Sequence, residues 1–361
     1  MKVALVHDYL NQYGGAERVL ETFAEIFPEA PIYTLFYDKE KTLGRFDGRV
    51  KGTTFLNQPT VIKNHRPFIP LMPAAASRLD LGSNYDLILS STAGYGKGVR
   101  HNGSSFHIAY CHTPLRYAWE QERYFNWNPF WKLISAPAFW YLRKWDFSAG
   151  QKPKILIANS GYIADKIKKY YNREAEVVYP PVDLKTFYRD PKIKKQGYFL
   201  AAGRLMHYKK FDLAIQAFNK LNLPLLVAGD GPELENLKKM ARSSKIHFLP
   251  FANEAELRTL YNGAEAIIFP QAEDFGLVAA EAQACGTPVI AYSEGGAREI
   301  VEGGVTGVFF HQQTVEDLTM AVKKFLLSSF DEEAIRESSK RFSKAKFKNR
   351  ILKIVNNALI R

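Results

Sequence analysis

Short apolar runs, several of them unbroken by any polar residue, alternate with amphipathic stretches and constrain this chain more than any other feature. Strands are expected at 3–6, 31–35, 86–89, 106–110 and 155–158, and again at 198–202, 223–227, 246–249, 266–269, 288–291 and 307–310. A run of four to six apolar residues with no alternation is how a strand buried on both faces reads. The stretches between them carry helical spacing, as in Leu213, Ala217 and Leu221, or Leu234, Leu237 and Ala241. Strand–helix alternation of this kind implies an α/β protein: parallel sheets with helices on both faces.

The pattern starts twice. Tyr179-Pro180-Pro181-Val182-Asp183 breaks it, and a lysine-rich stretch, 185–195, follows. Paired prolines end regular structure and suit a connector. Two Rossmann-like domains are therefore expected, at 1–180 and 181–340. Residues 341–361 form a terminal amphipathic helix with Phe347, Ile351, Ile354, Val355 and Ala358 on one face, expected to pack back on the first domain. The chain's 361 residues suffice for two such domains. No run approaches the roughly 18 to 20 uninterrupted apolar residues of a spanning helix, and the N-terminus lacks the features of a signal peptide. Cys111 and Cys285 lie in apolar surroundings and read as two buried thiols, in keeping with a reducing cytosol. The net charge of +12 attracts anions, and nine basic residues against one acidic concentrate it after residue 335.

In open α/β sheets, ligands bind beyond the carboxyl ends of the strands, so the residues following each strand carry the search for chemistry. His7-Asp8 follows the first, then Gly14 and Gly15 open a helix; the glycines can admit a phosphate or sugar or simply make a turn. Cys111-His112-Thr113-Pro114 follows the strand at 106–110, with His112 either at a site or satisfied within its loop. Gly203-Arg204 and Lys209 follow the strand at 198–202, and a guanidinium fork and an ammonium suit phosphate oxygens. Gly229-Asp230-Gly231-Pro232-Glu233 reads as a mainly structural turn. After the strand at 266–269 come Glu273, Phe275, Gly276 and Leu277, and then Glu281 within a helix. Eight helical residues span about 12 Å, and the helix N-terminus between the two carboxylates offers free N–H groups to anionic oxygens. Glu281 is embedded among alanines, and a carboxylate so placed usually has a partner. Gly295-Gly296-Ala297-Arg298-Glu299 forms a second glycine-rich helix start. Asp-x-Asp, P-loop, His-Glu-x-x-His and Cys-x-x-Cys motifs are missing from the sequence, so neither a metal nor a cofactor is expected.

Together these residues resemble the retaining nucleotide-sugar glycosyltransferases of the GT-B fold, family 4. The likeness runs through Gly203-Arg204 with Lys209, Glu273 to Glu281, Gly286-Thr287-Pro288-Val289 and Gly295-Gly296. Cys111-His112-Thr113-Pro114-Leu115-Arg116-Tyr117-Ala118-Trp119 is similar to the O-antigen-type mannosyltransferase subgroup. The resemblance implies two domains facing across a cleft, with the first binding the acceptor and the second the donor. It implies that Arg204 and Lys209 bind the donor diphosphate and that Glu281 binds the ribose. Glu273 contacts the transferred sugar together with Phe275, Gly276 and Leu277. His112 lies at the reacting centre, Gly14 and Gly15 border the diphosphate or acceptor, and the loop at Leu249 meets the base. The implied reaction is metal-independent transfer of a hexose, mannose from GDP-mannose or a glucosyl or galactosyl unit from a UDP-sugar, to a glycan or lipid-linked saccharide in cell-surface polysaccharide synthesis. Two positions depart from the family pattern: Pro180-Pro181-Val182-Asp183 stands for Asn-Gly-Val-Asp, and Ala297-Arg298-Glu299 for x-Pro-Glu.

All five tryptophans lie between Trp119 and Trp145, interleaved with Arg123, Lys132, Arg143 and Lys144. Such a segment suits an anionic membrane surface on its cytoplasmic face, or packs within its own domain. A nucleic-acid-binding protein would explain the charge but not the embedded Glu281 or the ordered loops, so no nucleic-acid partner is expected. An epimerase, a phosphorylase and a catalytically silent carbohydrate-binding relative remain as rivals on the same fold.

Overall fold

Two parallel sheets form from the apolar runs. The computed structural model describes residues 1–81, 85–101, 104–121, 129–250 and 252–359. The chain divides into two units, the first Met1–Pro181 with Phe347–Arg361, the second Val182–Lys346.

In the first unit the strands are β1 (Val3–His7), β2 (Ile32–Thr34), β3 (Val50–Gly52), β4 (Leu87–Thr92), β5 (Phe106–Cys111), β6 (Ile155–Ala158) and β7 (Glu176–Val177). Their order is β3-β2-β1-β4-β5-β6-β7, so the winding direction reverses between β1 and β4. Register pairs His7 with Ser91, and Ser91 with Tyr110. Because side chains alternate along a strand, His7, Ser91, Tyr110 and the next-but-one residue, His112, share one face, while Asp8 and Thr92 share the other. On the first face pack α1 (Gly15–Ile26) and the terminal helix (Lys344–Leu359), whose Phe347, Ile351, Ile354 and Val355 join Phe23, Leu89 and Tyr110 in one core. That helix starts at Lys344, after a 3₁₀ turn at Lys340–Phe342.

The second unit holds β8 (Tyr198–Ala202), β9 (Leu225–Ala228), β10 (Ile246–Leu249), β11 (Ala264–Phe269), β12 (Val289–Tyr292) and β13 (Gly307–Phe310), ordered β10-β9-β8-β11-β12-β13. Here the reversal falls between β8 and β11. Phe211–Leu221 and Val315–Leu326 cover one face around Phe199, Phe218 and Phe325.

The strands β3 and β7 were not expected from the sequence. Both are short, partly exposed edge strands without an apolar run. The lysine-rich stretch is not a free linker. Arg189 Nε donates to Glu332 at 2.7 Å, and Lys195 Nζ donates to Ala264 O at 2.7 Å and to Thr287 at 3.1 Å. Burial lowers the Lys195 pKa. No helix among the described residues is long and apolar enough to cross a membrane.

Candidate active site

The loops beyond β8 and β11 meet at the reversal of the second sheet. Gly203 follows β8 at φ +136°, and Arg204 comes next, exposed. A 3₁₀ turn, His207–Lys209, then leads through left-handed Lys210 into the helix Phe211–Leu221. Lys209 Nζ lies 2.8 Å from Glu273 Oε1, with side chains 13% and 19% exposed. Gln271 Nε2 donates to the same oxygen at 3.3 Å. The resemblance assigned Lys209 to phosphate and Glu273 to sugar as separate contacts; the structure pairs them directly. An ammonium has three donors, so Lys209 can hold Glu273 and a phosphate oxygen together.

Two glycine pairs explain why these loops can come so close. A Cβ on Gly229 would stand 2.0 Å from Gly203 O, and one on Gly231 would stand 2.4 Å from Leu205 O. Main-chain bonds lace the same segments: Gly203 N donates to Ala228 O at 2.9 Å, and Leu205 N to Asp230 O at 2.8 Å. The Gly229–Glu233 turn therefore buttresses the Arg204 loop. Likewise a Cβ on Gly296 would stand 2.4 Å from Phe275 Cα, while Gly296 N donates to Glu273 O at 2.8 Å. The second glycine-rich helix start thus serves as a seat for the Glu273–Phe275 segment.

Gly276 caps the helix Leu277–Ala284 at φ +112°. Glu281 lies within that helix, 2% exposed, and its Oε2 accepts from Tyr261 Oη at 3.2 Å. Tyr261 is the partner that the embedded carboxylate required. Leu249, half-buried at the end of β10, accepts from Gly229 N at 3.1 Å.

The first unit carries Gly14, Gly15 and His112. Gly14 is the extended N-cap of α1, and its N–H donates to Glu17 Oε2 at 2.9 Å. His112 is buried, with Nε2 2.8 Å from Ser91 Oγ. Sequence reasoning did not assign a role to Asp8. Its carboxylate takes Thr92 Oγ1 at 2.7 Å, Ala93 N at 2.7 Å, Tyr95 N at 3.0 Å and Gly96 N at 2.5 Å. It thereby pins the loop after β4; an acidic residue directly after the first strand was the signal. Cys111 and Cys285 are both buried and unbridged.

The aromatic segment divides. Trp119 stacks on Tyr170 at 4.6 Å and donates to Asp146 at 2.7 Å, and Trp145 packs against Tyr95. On the helix Pro129–Gln151, Trp140 is 63% exposed, Ile134, Tyr141 and Phe147 are also exposed, and Lys144 sits 5.2 Å over the Trp140 ring. Arg123, Phe125 and Trp127 lie outside the described residues, as do the side chains of Phe130, Trp131 and Lys132. The basic tail is largely neutralised: Arg336, Lys340, Arg341, Lys344, Lys348 and Arg350 each pair with a carboxylate. Its pull on a lipid surface is correspondingly weaker than its formal charge.

Two parallel-sheet units with loops converging at each reversal define the GT-B class of fold. A family model for glycosyltransferase family 4 matches residues 13–186, and one for glycosyl transferases group 1 matches residues 185–348. The chain belongs to this glycosyltransferase family. The D-inositol 3-phosphate glycosyltransferase of Mycobacterium sp. (strain KMS) is 32% identical over 195 residues, 47% of this chain and 44% of that protein. An uncharacterized glycosyltransferase of Methanocaldococcus jannaschii is 33% identical over 136 residues, 35% of each. The chain spans less than half the length of these relatives. Over the whole chain, Anabaena HepE in complex with UDP-glucose superposes with TM-score 0.74 at 18% identity, covering 99% of this chain and 100% of that one. Sucrose-phosphate synthase from Thermosynechococcus elongatus gives 0.69 at 16%, covering 99% of each.

Proposed function

We propose that the chain transfers a hexose, with retention of anomeric configuration, from a nucleoside-diphosphate sugar to a saccharide acceptor. The observation that carries the reading is the meeting of Lys209 and Glu273 at the reversal of the second sheet, with Arg204 in the same loop as Lys209 and the helix Leu277–Ala284 starting just after Glu273. Breaking the bond from the anomeric carbon to the diphosphate leaves new negative charge on the departing oxygen. Arg204, Lys209 and the helix N–H groups are fixed positive ends suited to that charge. Glu273 is assigned to the sugar hydroxyls with the backbone of Phe275, Gly276 and Leu277, Glu281 to the ribose, and the loop at Leu249 to the base. His112 is assigned to the reacting sugar, and Gly14 and Gly15 to the acceptor side. The acceptor hydroxyl attacks the face the diphosphate leaves, and its proton passes to the departing oxygen.

The resemblance at Cys111–Trp119 favours GDP-mannose. The likeness to a structure holding UDP-glucose supports a UDP-sugar as the second reading. A thermal-shift screen with GDP, UDP, ADP and their sugars separates them, because a ligand bound only by the folded state raises stability by mass action. Replacing Arg204 or Lys209 by Met should cost about 2 to 4 kcal/mol in the barrier. Unchanged turnover in both variants, or an inverted product by NMR, rejects the reading.

The outward face of the helix Pro129–Gln151, with Trp140 and Phe147 beside Arg143 and Lys144, further supports a lipid-linked acceptor in cell-surface polysaccharide synthesis and peripheral attachment to a membrane's cytoplasmic face. Flotation with anionic vesicles at low salt should carry the protein upward, and Trp140→Ala should weaken it.

A further inference from the structure

His112 does not stand alone. Parallel register sets His7, Ser91 and Tyr110 in one row across β1, β4 and β5, with His112 one step further along the same face. Glu17, in the first turn of α1, closes the row from above. Its Oε1 lies 3.5 Å from His7 Nε2 and its Oε2 accepts from Gly14 N at 2.9 Å, while Gln12 Nε2 donates to Oε1 at 3.4 Å. His7 Nδ1 lies 3.1 Å from Ser91 Oγ, and Ser91 Oγ lies 2.8 Å from His112 Nε2. All four side chains are more than nine-tenths buried.

We infer that Glu17, His7 and Ser91 are positioning residues for His112, a buried line of contacts that fixes which ring nitrogen of His112 carries the proton. The polarity follows from donor counting. An ionised carboxylate only accepts, so the His7 nitrogen facing Glu17, Nε2, carries its hydrogen. In neutral imidazole the other nitrogen then accepts, so Nδ1 takes the Ser91 hydroxyl hydrogen. The Ser91 oxygen, its hydrogen spent, accepts from His112 Nε2–H. His112 is thereby held as the Nε2–H tautomer, with Nδ1 as its proton-accepting atom. Steering of one imidazole by a partner on its other nitrogen is a general way to set a reactive tautomer. Resting on the transfer reading, this gives His112 a definite task. Nδ1 accepts a hydrogen bond from a hydroxyl at the reacting centre, and the ring stays neutral beside the positive charge that develops on the sugar.

The same line explains two features of the sequence together. A histidine at the end of the first strand and a glutamate three residues after Gly14 are otherwise unrelated buried polar groups. Glu17 also holds the Gly14 N–H, so one carboxylate fixes both the glycine turn and the histidine row.

The test reads the nitrogens directly. The full chain is labelled with ¹⁵N-histidine, and the His112 signals are identified by their loss in His112→Asn. Long-range proton–nitrogen spectra should show a protonated Nε2 and a bare Nδ1 on His112. Glu17→Gln keeps an oxygen for Gly14 but can donate to His7, so the line loses its single polarity. Ser91→Ala cuts the line. Both should turn the His112 pattern into a mixture of tautomers. In a donor-turnover assay both should lower kcat by about tenfold or more with the donor KM unchanged, and Ser91→Thr should restore both readouts. A protonated Nδ1 on His112 in the parent protein, or an unchanged tautomer in both Glu17→Gln and Ser91→Ala, overturns the inference. Because the spectra need no substrate, failure of every donor alongside the expected nitrogen pattern would strike the transfer reading and leave the positioning line standing.

Discussion

Replacing Gly296 by Ala tests whether the seat beneath the Glu273 loop sets activity. Gly296 has φ −64° and ψ −16°, values any residue adopts, so backbone strain is not at issue. The cost is contact. The new Cβ would stand 2.4 Å from both Phe275 Cα and Phe275 O, and real Cβ contacts do not fall below 3.0 Å. The segment must therefore open by at least about 0.6 Å, and by about 1 Å to reach the 3.4 Å of ordinary contact. The colliding atoms are main chain, so no rotamer change relieves them. Phe275 is held in turn against Phe342, with ring centroids 5.4 Å apart. Overpacking of this kind costs about 1 to 3 kcal/mol of stability. The larger effect falls on geometry, because Glu273 lies two residues upstream and its carbonyl is bonded by Gly296 N. A displacement near 1 Å at a reacting group can cost about 100-fold in rate. Gly304→Ala is the matched control. At φ +85° with open space around it, it should lose about 1 to 2 kcal/mol through backbone strain alone and keep its activity. Urea unfolding gives the stabilities, and release of nucleoside diphosphate gives the rates. Gly296→Ala turning over within threefold of the parent, or Gly304→Ala losing as much activity, would refute the reasoning.

Other sites give independent tests. Lys97 and Asp146 form a fully buried pair at 2.7 Å, with Trp119 and Tyr171 also donating to Asp146. Lys97→Met should cost about 3 to 5 kcal/mol in urea unfolding by leaving a buried charge uncompensated; a loss below 1 kcal/mol would contradict this. Burial pushes the His107 pKa down to about 3, with its Nε2 against Ser90 Oγ at 2.8 Å. Between the unfolded value near 6.5 and about 3, the unfolded chain takes up a proton that the folded one refuses, so stability falls as pH falls. His107→Gln should flatten that slope by about one proton, up to 1.4 kcal/mol per pH unit, and parallel slopes would exclude the assignment. Burial raises the Cys285 thiol to about 12, and Cys111 is buried as well. A thiol reagent at pH 8 should label neither until urea is added.

The strands were legible where apolar runs are continuous. Those at 155–158, 198–202 and 307–310 begin and end where expected, since they are buried along nearly their whole length, and 246–249 does so too although it is an edge strand with His247 exposed. The run at 86–89 extends to Thr92 because Ser90, Ser91 and Thr92 are buried by polar partners rather than by hydrophobicity. Edge strands such as Val50–Gly52 carry no signal, since their pairing energy lies in the main chain. At the candidate site, residue types and loop positions were readable, but pairings were not. Nothing local in Lys209 or Glu273 says that they meet, because β8 and β11 become neighbours only through the strand order. The row Glu17, His7, Ser91 and His112 was hidden for the same reason: it exists only in the register between strands.

The terminal helix has a consequence for how the chain is made. Phe347, Ile351 and Val355 close the apolar surface that Phe23 and Tyr110 present, so the portion that leaves the ribosome first is completed last. From Tyr110 to Phe347 is 237 residues, so at about 5–20 residues per second that surface waits roughly 12 to 47 s for its cover, while Val182–Lys346 emerges whole in the interval. Shielding of the nascent chain by a chaperone therefore matters most for the early half, and a chain cut before Lys344 would leave the greasy side of its first sheet bare.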